Sequence, residues 1–132
     1  MIRLFPGGCN WVLPGRSVCY SADTSEEQGE IGGVDAAYVY HPSLLAIIPG
    51  DISPVVKPMS VAVGEKDSLL DLKSVEQIRA ALIKTGVPAE VKIYDDQIHG
   101  FALRGDWSSD KDKQALDNAK KQGIEWSKKY LF

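Results

Sequence analysis

No apolar run in this sequence approaches the roughly 20 residues needed to span a bilayer. The opening Met1-Ile2-Arg3-Leu4-Phe5-Pro6 lacks the long apolar stretch of a signal peptide, so a cytoplasmic protein is expected. Cysteine is scarce. Cys9 and Cys19 form neither a CxxC pair nor a disulfide framework, and a free thiol is expected at each. Excess positive charge is also missing: 15 Lys and Arg stand against 18 Asp and Glu, for a net charge of −3. With the basic residues dispersed, no electrostatic footprint for nucleic acid exists. Repeats and low-complexity tracts are absent. What remains is 132 residues, 44% hydrophobic and 25% charged, enough for one globular domain with a real core and too few for two.

Residues 1–33 differ from the rest. The stretch "MIRLF" suits a short strand, "PGGCNWVLPGRS" carries the Pro and Gly punctuation of irregular loop, and the polar, acidic, glycine-rich "SADTSEEQGEIGG" reads as a linker or a mobile loop. From Val34 the pattern sharpens. Val34 to His41 is a mostly apolar run closed by Pro42-Ser43, as in a buried strand ending in a turn. The four prolines of residues 42–58 predict loop with at most one helical turn. "MSVAV" at 59–63 is the clearest buried strand, ended by Gly64. Ser74 to Lys84 reads as a helix, with Ser74 and Gln77 as a capping box, Val75, Ile78 and Leu82 as its apolar stripe, and Gly86 and Pro88 as its stop. Val91 to Tyr94 is a strand followed by turn residues Asp95 and Asp96. A last helix spans Asp110 to Tyr130, with Ser109 as N-cap. Ala115, Ala119, Trp126 and Tyr130 share one face of it, Gly123 marks a close-packing point, and the interleaved Lys and Asp form its solvated face.

Strands alternating with helices predict an α/β fold with parallel strands covered by helices. In such sheets the functional loops lie beyond the carboxyl ends of the strands. Asp67 follows one strand and His99 the next, so both belong at that end. An isolated loop histidine would be merely solvated, but His99 has an acid on the neighbouring strand. A carboxylate that holds an imidazole in one tautomer and stabilises it when protonated is the acid and base part of a nucleophile triad. The acid also precedes the histidine, as α/β-hydrolases require.

The motifs "VYHPS" at 39–43, "KPMSVAVGEKD" at 57–67 and "IHGFALRGD" at 98–106 resemble the C-terminal half of the dienelactone hydrolase family, and its carboxymethylenebutenolidase-like members most. The resemblance covers residues 34–132. It implies a partial three-layer α/β-hydrolase fold, with a short, mostly parallel sheet flanked by helices. It further implies hydrolysis of ester or lactone bonds by a Cys-Asp-His triad, with no metal or organic cofactor. Asp67 and His99 match the acid and base. Arg104 matches an arginine able to grip a substrate carboxylate in a bidentate way. Phe101 is a further candidate for substrate contact, although Phe101 and Trp107 equally suit packing of the histidine loop. His41 suits a strand-end hydrogen-bonding role, and Glu65 is a possible second carboxylate.

The family's nucleophile sits in a G-x-C-x-G elbow, and this sequence has none. In "GGCNW" Trp11 replaces the second glycine after the candidate nucleophile Cys9, and Pro14-Gly15 interrupts any following helix. "GRSVC" around Ser17 fails for the same reason. The expectation is therefore half of a hydrolase behind an unrelated leader, truncated relative to its family and weak or inactive as an enzyme. A strand 34–41 without its partner would leave an open edge, and absent helices would leave apolar sheet faces bare. Both favour a homodimer. The alternative function is a catalytically dead, oligomerising or ligand-binding α/β module. A flavodoxin-like regulatory domain is disfavoured, because no glycine-rich phosphate loop follows a strand.

Overall fold

The computed structural model describes residues 11–13, 16–18, 35–42, 52 and 55–131. Two short strands come first, β1 (Trp11–Leu13) and β2 (Arg16–Val18), paired antiparallel with Leu13 opposite Arg16. The sequence predicts irregular loop there. Pro14-Gly15 is a breaker, but a two-residue break between β-forming residues is also a hairpin signal, and pairing prevails.

A second sheet contains β3 (Ala37–Tyr40), β4 (Met59–Lys66) and β5 (Ala89–Ile98) in the order β3-β4-β5, all parallel. Between β4 and β5 runs α1 (Leu72–Thr85), and after β5 come α2 (Phe101–Arg104) and α3 (Asp110–Leu131). Most of residues 42–58, including the single helical turn expected in them, lies outside the described residues.

The period-two alternation of β4 divides the core. Met59, Val61 and Val63 face α1 and pack with its Val75, Ile78, Ala81 and Leu82. Burying each such aliphatic side chain contributes about 1.5–3 kcal/mol. On the other face Ala62 packs with Tyr94, Phe101, Ala115, Leu116 and Ala119, over which α3 lies. At β4 neither face is bare, because a helix lies on each side, whereas Val39 of β3 and Val91 and Ile93 of β5 are only partly buried. Gly123 fits under Tyr38: a Cβ there would lie 2.3 Å from the ring, and the Tyr38 hydroxyl donates to Ala119 O at 2.6 Å. The buried Gln122 links the layers. Its Oε1 accepts from the Tyr94 hydroxyl at 2.7 Å, and its Nε2 donates to Ser60 Oγ at 2.8 Å. Burial pushes the Tyr38 and Tyr94 phenols well above their ordinary range, so both stay neutral donors.

Element ends differ from expectation in instructive ways. Helix α1 is capped by Asp71, whose carboxylate accepts from Ser74 N at 2.7 Å, so Ser74 sits inside the first turn rather than capping it. Gly86 ends α1 in the left-handed region at φ 74°, as its position predicts. Ser109 starts α3, its Oγ accepting from Asp112 N at 3.5 Å. Strand β4 runs through Gly64 to Lys66, and β5 runs past Asp95 and Asp96 to Ile98. Those two differences build the site.

Candidate active site

Asp67 and His99 stand at the carboxyl ends of β4 and β5, and the ladder between those strands is irregular just before them. Gly64 is opposite Tyr94, but Lys66 is opposite Ile98, so β5 carries two residues more than β4 over that interval. An unbroken register would bring Gln97 opposite Asp67; the bulge brings His99 instead. Asp96 sits in the bulge at φ 59°. Its N–H donates to Glu65 Oε2 at 2.8 Å, and its carboxylate bridges Lys66 Nζ at 2.8 Å and Lys111 Nζ of α3. Glu65, a candidate second carboxylate, is therefore a clamp on the bulge. The two lysines, Lys111 above all, hold the Asp96 carboxyl down at about 2.

Past the bulge, Asp67 Oδ2 and His99 Nδ1 are 2.8 Å apart. The other oxygen, Oδ1, accepts from Leu69 N at 2.8 Å and Leu70 N at 3.2 Å, and Asp67 N donates to Gly64 O at 3.2 Å. The carboxylate is thus oriented by the turn that carries it, one oxygen for the backbone and one for the imidazole. Its side chain is 0% exposed while that of His99 is 19% exposed, so the acid is buried and the ring reaches the surface. A carboxylate bound at Nδ1 selects the tautomer with the proton there and leaves Nε2 free to accept one.

Behind His99, Gly100 turns the chain at φ 82° into α2. Phe101, read as a possible substrate contact, is 1% exposed and packs 5.2 Å from the Tyr94 ring and 6.0 Å from the His41 ring. Its apolar ring is taken up by the core, which is why it supports the histidine loop from within. Trp107, read as packing that loop, is 54% exposed. Arg104 closes α2; its side chain lies outside the described residues, and so does Cys9. Ser17 is in β2. His41, a strand-end residue by sequence, donates its N–H to Ala62 O at 2.6 Å and sets its ring 5.1 Å from that of His99. Neither the bulge nor this ring contact has a sequence signal beyond the glycine at 64 and the histidine before proline at 41.

Among the described residues, no group of three or more His, Cys, Asp or Glu side chains is placed to hold a metal ion, and no helix is long and apolar enough to cross a membrane. A groove of about 450 Å³ lies between β5 and α3 beside Glu90, Lys92, Gln122 and Trp126, away from the acid and the histidine.

The sequence model of the dienelactone hydrolase family matches residues 22–131, starting ahead of Val34. Hydrolase pyvD of Aspergillus violaceofuscus is 26% identical over 124 residues, covering 94% of this chain and 49% of that protein. Hydrolase tropI of Talaromyces stipitatus is 27% identical over 100 residues, covering 76% and 39%. The chain therefore spans half or less of the length of these curated relatives. Among solved structures, one assigned to a dienelactone hydrolase from Klebsiella pneumoniae superposes with a TM-score of 0.61 at 22% identity, over 74% of this chain and 43% of that one. A thermophilic esterase of Thermogutta terrifontis with propionate bound superposes at 0.56 and 19% identity, over 78% and 47%. At such identities these neighbours show a shared fold: the described sheet and helices form part of an α/β-hydrolase fold.

Proposed function

The chain belongs to the dienelactone hydrolase family, and on that premise we propose that Asp67 and His99 are the acid and base of a site for hydrolysing ester or lactone bonds. The 2.8 Å hydrogen bond between a buried carboxylate and a partly exposed imidazole is the observation that supports this reading. With Nδ1–H held by Asp67, His99 Nε2 takes the proton of a nucleophile as that group adds to the carbonyl carbon. The imidazolium then returns the proton to the departing alkoxide, and water, activated at the same nitrogen, releases the acid. Asp67 remains a carboxylate throughout and stabilises the cation. A small-molecule ester or lactone is the partner, and Arg104 is the candidate to grip a substrate carboxylate.

The nucleophile is the member left unassigned by the described residues. Among the described residues the His99 ring hydrogen-bonds Asp67, and no thiol or hydroxyl joins them. Cys9 is the sequence's candidate and lacks the glycine pattern of an elbow, so slow turnover or none is expected of this chain by itself.

Hydrolysis of an activated aryl ester by the purified chain, beside Cys9→Ala, Asp67→Asn and His99→Ala, tests the reading. Turnover lost in all three variants supports a full triad. Turnover lost only in Asp67→Asn and His99→Ala leaves the base acting on water or on another group. Turnover unaffected by His99→Ala overturns the assignment. No turnover above background gives way to the second reading, a family fold kept as a binding module.

A further inference from the structure

One hydrogen bond restrains a single distance, whereas a histidine side chain has two torsions. His99 meets Asp67 through Nδ1 alone, and the second side-chain torsion of histidine is broad. A ring held by that single distance can still shift χ1 and χ2 together, and Nε2 moves with them unless a wall stops it. Among the described residues, the ring of His41 is placed to be that wall. Its ring centroid is 5.1 Å from that of His99, with the planes at 67°, an edge-to-face arrangement. His41 itself is boxed in by Phe101 at 6.0 Å and 70° and by Tyr40 at 6.0 Å, while Phe101 leans on Tyr94 and Tyr40 on Tyr38. The row of rings continues into the core under α3.

The backbone that aims this ring is unusual. His41 has φ 31°, a region few non-glycine residues occupy, and it precedes Pro42, which restricts it further. The bond from His41 N to Ala62 O still ties it to the β4 ladder. A chain merely leaving a strand has no need of that conformation. Such strain concentrates where a side chain must be presented in one direction.

We propose that His41 is a positioning residue: its ring, aimed by the kink at the end of β3, sets the plane of the His99 imidazole so that Nε2 points along one line while Asp67 holds Nδ1. The inference rests on the reading of His99 as the base, and it needs an aromatic ring at position 41 rather than a titrating one.

Nuclear magnetic resonance of the whole chain tests this without requiring turnover. In the wild type, cross-relaxation is expected between ring protons of His41 and His99, together with a downfield His99 Nδ1–H signal protected by the Asp67 bond. His41→Ala is expected to lose that signal to solvent exchange and to populate the second tautomer. His41→Phe is expected to keep the signal. Absent ring-to-ring cross-relaxation in the wild type, a signal unchanged in His41→Ala, or a signal lost in His41→Phe overturns the proposal. If His41→Ala does not fold, the wild-type measurement and His41→Phe decide. Asp67→Asn separates the two levels. A signal that survives there refutes the acid–base pair itself, whereas one lost there but intact in His41→Ala refutes only the role of His41.

Discussion

Gly64 and Gln97 are in contact through their backbones: a Cβ on Gly64 would lie 2.3 Å from the carbonyl oxygen of Gln97 and 2.7 Å from its carbonyl carbon. That approach is where the bulge of β5 folds against β4, and the bulge is what brings His99 opposite Asp67. Any side chain at 64 pushes the bulge away or straightens it.

Gly64→Ala is therefore expected to cost about 1–3 kcal/mol of stability, the range for forcing a group into a packed interior. It should also separate His99 from Asp67, with loss of the protected Nδ1–H resonance. Urea denaturation reads the first effect and proton spectra the second. An unchanged midpoint together with an unchanged spectrum would show that the strands tolerate a wider spacing there.

Asp96 makes the bulge sensitive to acid. Its folded value of about 2 lies below the ordinary 3.8, held down by Lys111 and Lys66. A depressed carboxyl stabilises the fold above its unfolded value and loses that contribution as pH falls through the folded one, here from about 4 to 2. The contribution is small, because the ion pairs are exposed and screened by salt. In a series of thermal midpoints from pH 5 to pH 2, the gap between wild type and Asp96→Asn should narrow as the pH drops, and 1 M salt should narrow it at pH 5. A gap constant across that range rules out the linkage.

Much of this was legible in the chain because it depends on periodicity or on ordered motifs. The stripe Val75, Ile78, Leu82 and the face containing Ala115, Ala119 and Trp126 are repeats that a helix must bury, and they are buried. Asp67 and His99 followed from their places just past apolar strands and from the family resemblance. The register between those strands was not legible. Two extra residues on β5 carry no propensity signal, and Asp95-Asp96 looks like a turn whether the strand ends or bulges. The cap was missed because Asp71 and Ser74 are both good N-caps and only the backbone distinguishes them. The ring contact of His41 depends on a φ value that histidine adopts rarely, so composition gives no hint of it.

Gln122 offers a test of the packing that carries β5. Its amide satisfies the buried Tyr94 hydroxyl and Ser60 at once, and Nε2 also reaches Val61 O at 3.3 Å. Gln122→Leu leaves that hydroxyl without its acceptor, at a cost of about 1–3 kcal/mol. Adding Tyr94→Phe should restore part of the loss, since removing both partners avoids a stranded donor. Chemical denaturation of the two single variants and the double variant reads this coupling. Strictly additive losses would mean that the hydrogen bond contributes nothing.

The edge of β3 bears on assembly. Among the described residues β3 pairs with β4 on one side, where Ala37 N donates to Pro58 O and His41 N to Ala62 O. In a parallel strand, backbone groups alternate sides, so the amides of Tyr38 and Tyr40 point away from β4. An edge of this kind recruits a partner strand, and two copies joined about a two-fold axis would pair their β3 strands antiparallel. The expected outcome is a dimer in sedimentation at micromolar concentration, with Tyr38 and Tyr40 amides that exchange slowly and then faster on dilution. A monomer whose Tyr38 and Tyr40 amides exchange rapidly at every concentration would leave the edge open and rule out pairing. A monomer in which those amides stay protected would mean that another segment of the same chain covers the edge, and the dimer would again be excluded.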